Sequence, residues 1–224
     1  MSYGDPDGER RIVAETIGLA EPGLSDKWVV RGRGSLNACR AFGLEGRAGL
    51  VMPAAPGGIN VWAIADDEVW LVASACVAGG PPVAAVDFAP AVAQLRSVGT
   101  YVTDVSSGWS VLRLVGPRVR DLLEELIPEN LGPAAVPDLA ILQVSLAGCR
   151  VILARCDNEG LPGFTLLVAR DEAEHLWDVF THLGEAYGLR PVGASALLPA
   201  APAAPAAPAS ATSATSAGPA GSSP

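Results

Sequence analysis

Ser106 and Ser107 follow Asp104 by two and three places, and a serine beside a carboxylate invites a nucleophile reading. A catalytic serine needs an imidazole to take its proton. The chain has only two histidines, His175 and His182, seven residues apart and far from the serines in sequence. That spacing places both on roughly one face of a helix, where a metal would still lack a third ligand. The Asp104–Ser106 pair is therefore expected to be turn chemistry, and both histidines surface or partly buried groups. Cys39, Cys76, Cys149 and Cys156 form no Cys-x-x-Cys pair and read as small core residues rather than as a metal or disulfide framework. Arg31-Gly32-Arg33-Gly34 resembles part of a phosphate loop, but the Lys-Ser/Thr ending and a full G-x-G-x-x-G are absent, so a turn is expected. Trp62, Trp70, Trp109 and Trp177 are expected to be core or interface anchors rather than ring-stacking ligands.

The elements that must position these residues are legible from periodicity. Lys27 to Gly34 is a β-rich run that reaches glycine and turns into a short helix near Ser35 to Phe42. Trp109 to Pro117 does the same, leading into a helix carrying Val119, Leu122, Leu123, Leu126 and Ile127 at helical spacing. The two copies lie about 80 residues apart, which suggests two pseudo-symmetric halves rather than a solenoid. Asn60 to Ala65 and Val69 to Ser74 read as a hairpin turning at Asp66-Asp67, and Ala140 to Leu146 and Cys149 to Arg155 as one turning at Ala147-Gly148. Phe88 to Val98 reads as a helix with Phe88, Val92 and Leu95 inward, and Phe164 to Ala169 as a strand. The last helix is expected to take Asp171 as its N-cap, with Glu174 three residues on completing a capping arrangement, to bury Ala173, Leu176, Trp177, Phe180 and Leu183, and to stop at Gly188. Strands and helices mix without βαβ alternation, so the fold class is α+β. Residues 1–20 are expected to be a flexible leader, 21–198 one folded unit, and 199–224, almost only Ala, Pro, Ser, Thr and Gly, a disordered tail.

The formal net charge of −9 argues against a nucleic-acid partner. The longest uncharged run, Val69 to Val86, is broken by Gly79-Gly80-Pro81-Pro82, and the first residues have no apolar secretory core, so no membrane span and a cytosolic location are expected.

Three ordered segments then carry a resemblance. Val102 to Trp109 running into Leu112-Arg113-Leu114-Val115-Gly116-Pro117 is one. Leu146 to Val151, with Ala154-Arg155 and Gly163-Phe164, is the second. Glu172 to Asp178 followed by Gly184 to Ala194 is the third, and Gly57-Gly58-Ile59 adds a fourth motif. Over residues 21–197 the chain resembles the folate-binding aminomethyltransferases, most nearly the small gamma-type subunit of multi-subunit sarcosine oxidases. The resemblance implies a fold of two mixed sheet-and-helix halves and a folate-site neighbourhood at Asn60, Arg155, Asp157 and Thr165. It also implies departures. Catalytic relatives place an aspartate soon after Gly-Gly-Ile, where Asn60-Val61-Trp62 stands here; an amide cannot replace a carboxylate that stabilises a cation or accepts a proton. They carry Gly-Phe-Glu, whose glutamate grips the pterin, where this chain has Gly163-Phe164-Thr165.

No catalytic residue and no metal site are therefore expected, and no cofactor held firmly by this chain. Tetrahydrofolate is the candidate ligand, with weak or no binding expected; flavin and NAD would sit on partner subunits. The function implied is a non-catalytic component of an amine-oxidising flavoenzyme complex, with larger flavoprotein subunits as partners and Trp28, Trp62 and Trp70 as candidate interface anchors. The alternative is a free-standing, tetrahydrofolate-dependent one-carbon transferase.

Overall fold

The computed structural model describes residues 4–23, 26–55, 59–73 and 88–197. The Gly57-Gly58 motif, Ser74, Cys76 and the tail from residue 198 lie outside the described residues.

The elements run in chain order as helix α1 (Pro6–Glu15), strands β1 (Ile17–Ala20) and β2 (Lys27–Arg31), α2 (Ser35–Ala41), β3 (Leu50–Ala55), β4 (Ile59–Ala65), β5 (Glu68–Ala73), α3 (Ala89–Ser97), β6 (Tyr101–Asp104), β7 (Trp109–Val115), α4 (Val119–Leu126), β8 (Ile141–Leu146), β9 (Cys149–Arg155), β10 (Gly163–Ala169), α5 (Arg170–Gly184) and β11 (Leu189–Pro191). Short 3-10 turns lie at Glu185–Tyr187 and Ala194–Leu197. The expected α+β class holds, with two sheets, one mixed and one antiparallel, and five α-helices among the described residues.

The first sheet has the order β11-β1-β7-β10-β9-β8 and the second β3-β4-β5-β2-β6. Side-chain alternation assigns each sheet two jobs. One face of the first sheet, with Leu19, Leu114, Phe164, Leu166 and Leu153, packs on α4 through Leu122 and Leu123 and on α5 through Leu176 and Phe180. One face of the second, with Val30, Val61, Val69 and Leu71, packs on α2 through Leu36 and Cys39 and on α3 through Val92 and Leu95. The remaining faces meet each other, Val111, Leu167, Ile152 and Ala154 against Val29, Trp62, Trp70 and Val72. The result is four layers, helices–sheet–sheet–helices, whose central strands are buried on both sides. Such strands read as continuous apolar runs, as β7 (WSVLRLV) and β10 (GFTLLVA) do.

The pseudo-symmetry has a twist in its connectivity. The order β2-α2-β3-β4-β5-α3 repeats as β7-α4-β8-β9-β10-α5, and in each repeat the three later strands stack outward from the first. The strand that precedes each repeat crosses to the other sheet. β1, which precedes β2, pairs with β7, and β6, which precedes β7, pairs with β2. Each half thus completes its sheet with a strand from the other.

Both expected hairpins are present, at residues 66–67 and at Ala147-Gly148, whose positive φ of 49° and 86° suits a tight turn matching the sheet's twist. The leader is a correction. From Pro6 onward residues 1–20 are ordered: α1 is capped by Asp5, whose side chain accepts from the Gly8 N–H at 3.0 Å, and β1 is entirely buried. The physical reason is tertiary. Val13 and Ala20 join Val115, Val192, Ala196 and Leu197 in a small core, and buried Glu9 accepts from the Gly193 N–H at 2.9 Å. A four-residue strand of Ile-Gly-Leu-Ala has too little periodicity of its own to announce this.

The last helix runs from Arg170 to Gly184 with Ala169, not Asp171, at its N-cap and no side-chain cap hydrogen bond, so the expected capping arrangement does not form; Leu183 is exposed and Gly184 takes its place in the buried face. Gly188 instead closes the 3-10 extension, in the left-handed region. Trp62 and Trp70 are 0% and 1% exposed, so both belong to the core between the sheets and neither can anchor a partner. Trp28 is half-buried beside the Arg96 guanidinium, 6.0 Å from its ring centre.

Candidate functional site

Sheet register decides where each candidate side chain points, because directly opposed residues on neighbouring strands share a face. Asn60 and Lys27 both oppose Val72, a member of the layer between the sheets, and are 1% exposed. Both therefore point into that layer. Thr165 opposes Ala154 on one side and Arg113 on the other, and it too faces the layer, fully buried. Arg155 opposes Phe164, which packs on the helical side of the first sheet. Arg155 thus points away from Asn60 and Thr165, and the four candidate residues do not converge on one cavity.

Arg155 and Asp157 are occupied with each other. Arg155 Nε and Nη2 donate to the two Asp157 carboxylate oxygens at 2.9 and 2.6 Å, and Nη1 donates to the Val136 carbonyl at 2.8 Å. Asp157 also accepts from the Gly163 N–H at 3.3 Å, and its own N–H donates to Asp138 at 2.9 Å. The two-pronged pair ties the loop after β9 to the segment before β8. Its charge holds the Arg155 guanidinium protonated still more firmly than usual, through the Asp157 hydrogen bond. Chemically this is a clamp, with all three guanidinium nitrogens engaged.

Sequence reasoning missed Arg113. It is 3% exposed in the middle of an apolar strand, and its Nη1 donates to Thr165 Oγ1 at 3.3 Å. The signal was available: in Val111-Leu112-Arg113-Leu114-Val115 a lone charge sits at an inward position of a strand buried on both faces. Lys27, at the head of β2, is a second buried cation of the same layer. The indole Nε1–H of Trp62 is buried there too, with no acceptor among the described residues.

Asp104 accepts from the Ser106 N–H at 2.9 Å, and Ser106 Oγ accepts from the Lys27 N–H at 2.9 Å, so this serine fastens a turn. His175 and His182 are exposed, and no cluster of three metal-ligating side chains exists among the described residues.

Two buried thiols give a prediction. Burial pushes the Cys39 thiol up to about 11 and Cys156 up to about 12. Both stay protonated and unreactive in the native protein. At pH 8 a maleimide should leave Cys39 and Cys156 unlabelled until the chain is unfolded, as read by peptide mass spectrometry. The sign of the linkage follows: the groups are protonated in both states below the ordinary 9.0, and above it only the unfolded chain ionises. Stability should fall as pH rises from 9.0 towards 11 to 12. Rapid labelling of Cys156 in the folded state would contradict the buried placement.

This α+β architecture of two sheets and five helices matches the aminomethyltransferase-like folds. It aligns with a chain of the heterotetrameric sarcosine oxidase of Corynebacterium sp. U-96 at a TM-score of 0.61 and 21% identity, over 82% of this chain and 93% of that one. It aligns with glycine cleavage system aminomethyltransferase T of Bartonella henselae at a TM-score of 0.61 and 16% identity, over 88% of this chain and 53% of that one. An aminomethyltransferase of Saccharopolyspora erythraea is 30% identical over 135 residues, 60% of this chain and 35% of the relative. Sarcosine oxidase subunit alpha of Rhizobium meliloti is 28% identical over 98 residues, 43% of this chain and 10% of the relative. The chain thus spans about a third of the aminomethyltransferase's length and a tenth of the alpha subunit's. The sequence model of the GCVT N-terminal domain matches residues 57–199, more than half the chain. The chain belongs to the GCVT N-terminal domain family.

Tetrahydrofolate, the ligand that the resemblance implies, does not fit the residues present. A pterin's amino-pyrimidine edge donates hydrogen bonds and asks for a carboxylate. Thr165 offers a single hydroxyl already receiving a bond from Arg113, and Arg155 faces the wrong side of the sheet.

Proposed function

We propose that this chain is a sarcosine oxidase gamma-subunit-like component of an amine-oxidising flavoenzyme complex and is not itself catalytic. The observation that carries the proposal is the closed layer around Thr165 and Arg113, 0% and 3% exposed and bonded to each other, because a one-carbon transferase must admit its folate. The likeness of the fold to one chain of a heterotetrameric sarcosine oxidase supports it. On this reading flavin and NAD chemistry belongs to larger partner subunits, and this chain contributes surface.

The test is co-expression with the flavoprotein subunits of a sarcosine oxidase-type complex. A flavin-absorbing complex of fixed stoichiometry is expected, with an interface of at least about 1,000 Å². A monomer that ignores its neighbours would defeat the proposal. The second reading, a free-standing tetrahydrofolate-dependent one-carbon transferase, draws on the 30% identity to an aminomethyltransferase. Methylene transfer to tetrahydrofolate by the purified chain would establish it.

A further inference from the structure

The layer between the sheets is apolar for most of its extent, and Arg113 enters it from the centre of β7. A guanidinium is an expensive occupant of such a place. Strand register fixes its neighbourhood: Arg113 is flanked by Ala20 on β1 and Thr165 on β10, and Thr165 in turn by Ala154 on β9. Alanines on both sides leave room for one long side chain, and the guanidinium reaches the Thr165 hydroxyl. Thr165 also stands where the Gly-Phe-Glu motif of the catalytic relatives has its pterin-holding carboxylate.

We infer that Arg113 is a specificity-determining residue that closes the layer between the sheets to pterins. The reason is chemical likeness. A guanidinium and the 2-amino-pyrimidine edge of a pterin are both planar and both present adjacent N–H donors. Arg113 supplies from within the chain the donor pattern that a folate would bring, beside the residue that would receive it. The inference stands whether or not the chain has protein partners, so failure of co-purification leaves it untouched. It also changes what one substitution can do. Restoring the carboxylate alone, by Thr165→Glu, places an acceptor next to a buried cation, and the two pair with each other rather than with a ligand.

The experiment compares the full-length wild type, Arg113→Ala, Thr165→Glu and the double variant in titration calorimetry with 5-formyltetrahydrofolate, the folded state of each being checked by near-ultraviolet circular dichroism. Wild type and Thr165→Glu are expected to show no saturable binding up to about 1 mM, and the double variant to bind at least about tenfold more tightly than either single variant. Thr165→Glu binding as tightly as the double variant would overturn the inference. So would micromolar binding by the wild type, or a folded double variant that gains nothing. A second measurement covers a double variant too unstable to titrate. Thermal unfolding of Thr165→Glu in wild-type and Arg113→Met backgrounds should show a larger loss of melting temperature where the arginine is missing. Equal losses in both backgrounds would mean that Arg113 does not engage position 165, and the inference would fall.

Discussion

Gly116→Ala is expected to cost roughly 3–5 kcal/mol and to lower the melting temperature by about 10 °C or more. Gly116 follows β7 at φ 147°, a conformation L-residues rarely adopt. A Cβ built there would meet the Thr16 carbonyl oxygen at 2.1 Å, the Thr16 carbonyl carbon at 2.9 Å and the Ile17 Cα at 3.0 Å. These are backbone atoms at the start of β1, so no side chain can swing aside. Relief requires β1 to move off β7, which opens the buried contacts of Ile17 and Leu19. Gly43→Ala is the control. Its φ of 75° is also positive, but nothing lies within 4 Å of the added methyl, so it should show only the backbone cost of about 1 kcal/mol. Equilibrium denaturation of the two variants reads the difference. Equal, small losses would mean that β1 is not held against β7 as described.

Asp157→Ala is the second large effect, roughly 2–3 kcal/mol. The loss leaves the Arg155 guanidinium, 9% exposed, without its two-pronged partner. The Val136 carbonyl remains to it. The figure sits below that for a fully buried pair because the Asp157 side chain is 25% exposed. Arg155→Met combined with Asp157→Ala should cost less than the sum of the single changes, since the pair is removed together and no charge is stranded. Strict additivity in a double-mutant cycle would show that the clamp contributes nothing as a pair.

The strands and helices were legible where the chain's periodicity is strong: α3 with Phe88, Val92 and Leu95 inward, and the hairpin at Ala147-Gly148. What could not be read was anything decided by pairing across distance. β1 is four residues long and owes its burial to β7 and β11. The candidate site suffered in the same way. Asn60, Arg155, Asp157 and Thr165 were grouped by motif, but a strand's two faces diverge, and adjacent strand positions place Arg155 and Thr165 on opposite sides of one sheet. Arg113 was visible as a charge inside an apolar run. Its neighbour Thr165, 52 residues away, needed the register of β7 on β10.

The exchanged first strands carry a consequence for synthesis. β1 leaves the ribosome before every other strand described, yet its neighbours are β7, beginning at Trp109, and β11, beginning at Leu189. β2 pairs with β5 and waits for β6 to flank its other side. A half-made chain therefore exposes an apolar strand whose partners do not yet exist, and nascent edges of this kind are open to aggregation. Pairings over such separations close late and slowly. The N-terminal half cannot be banked as a finished piece during translation, so this protein reaches its native topology only once nearly all of the described chain has emerged.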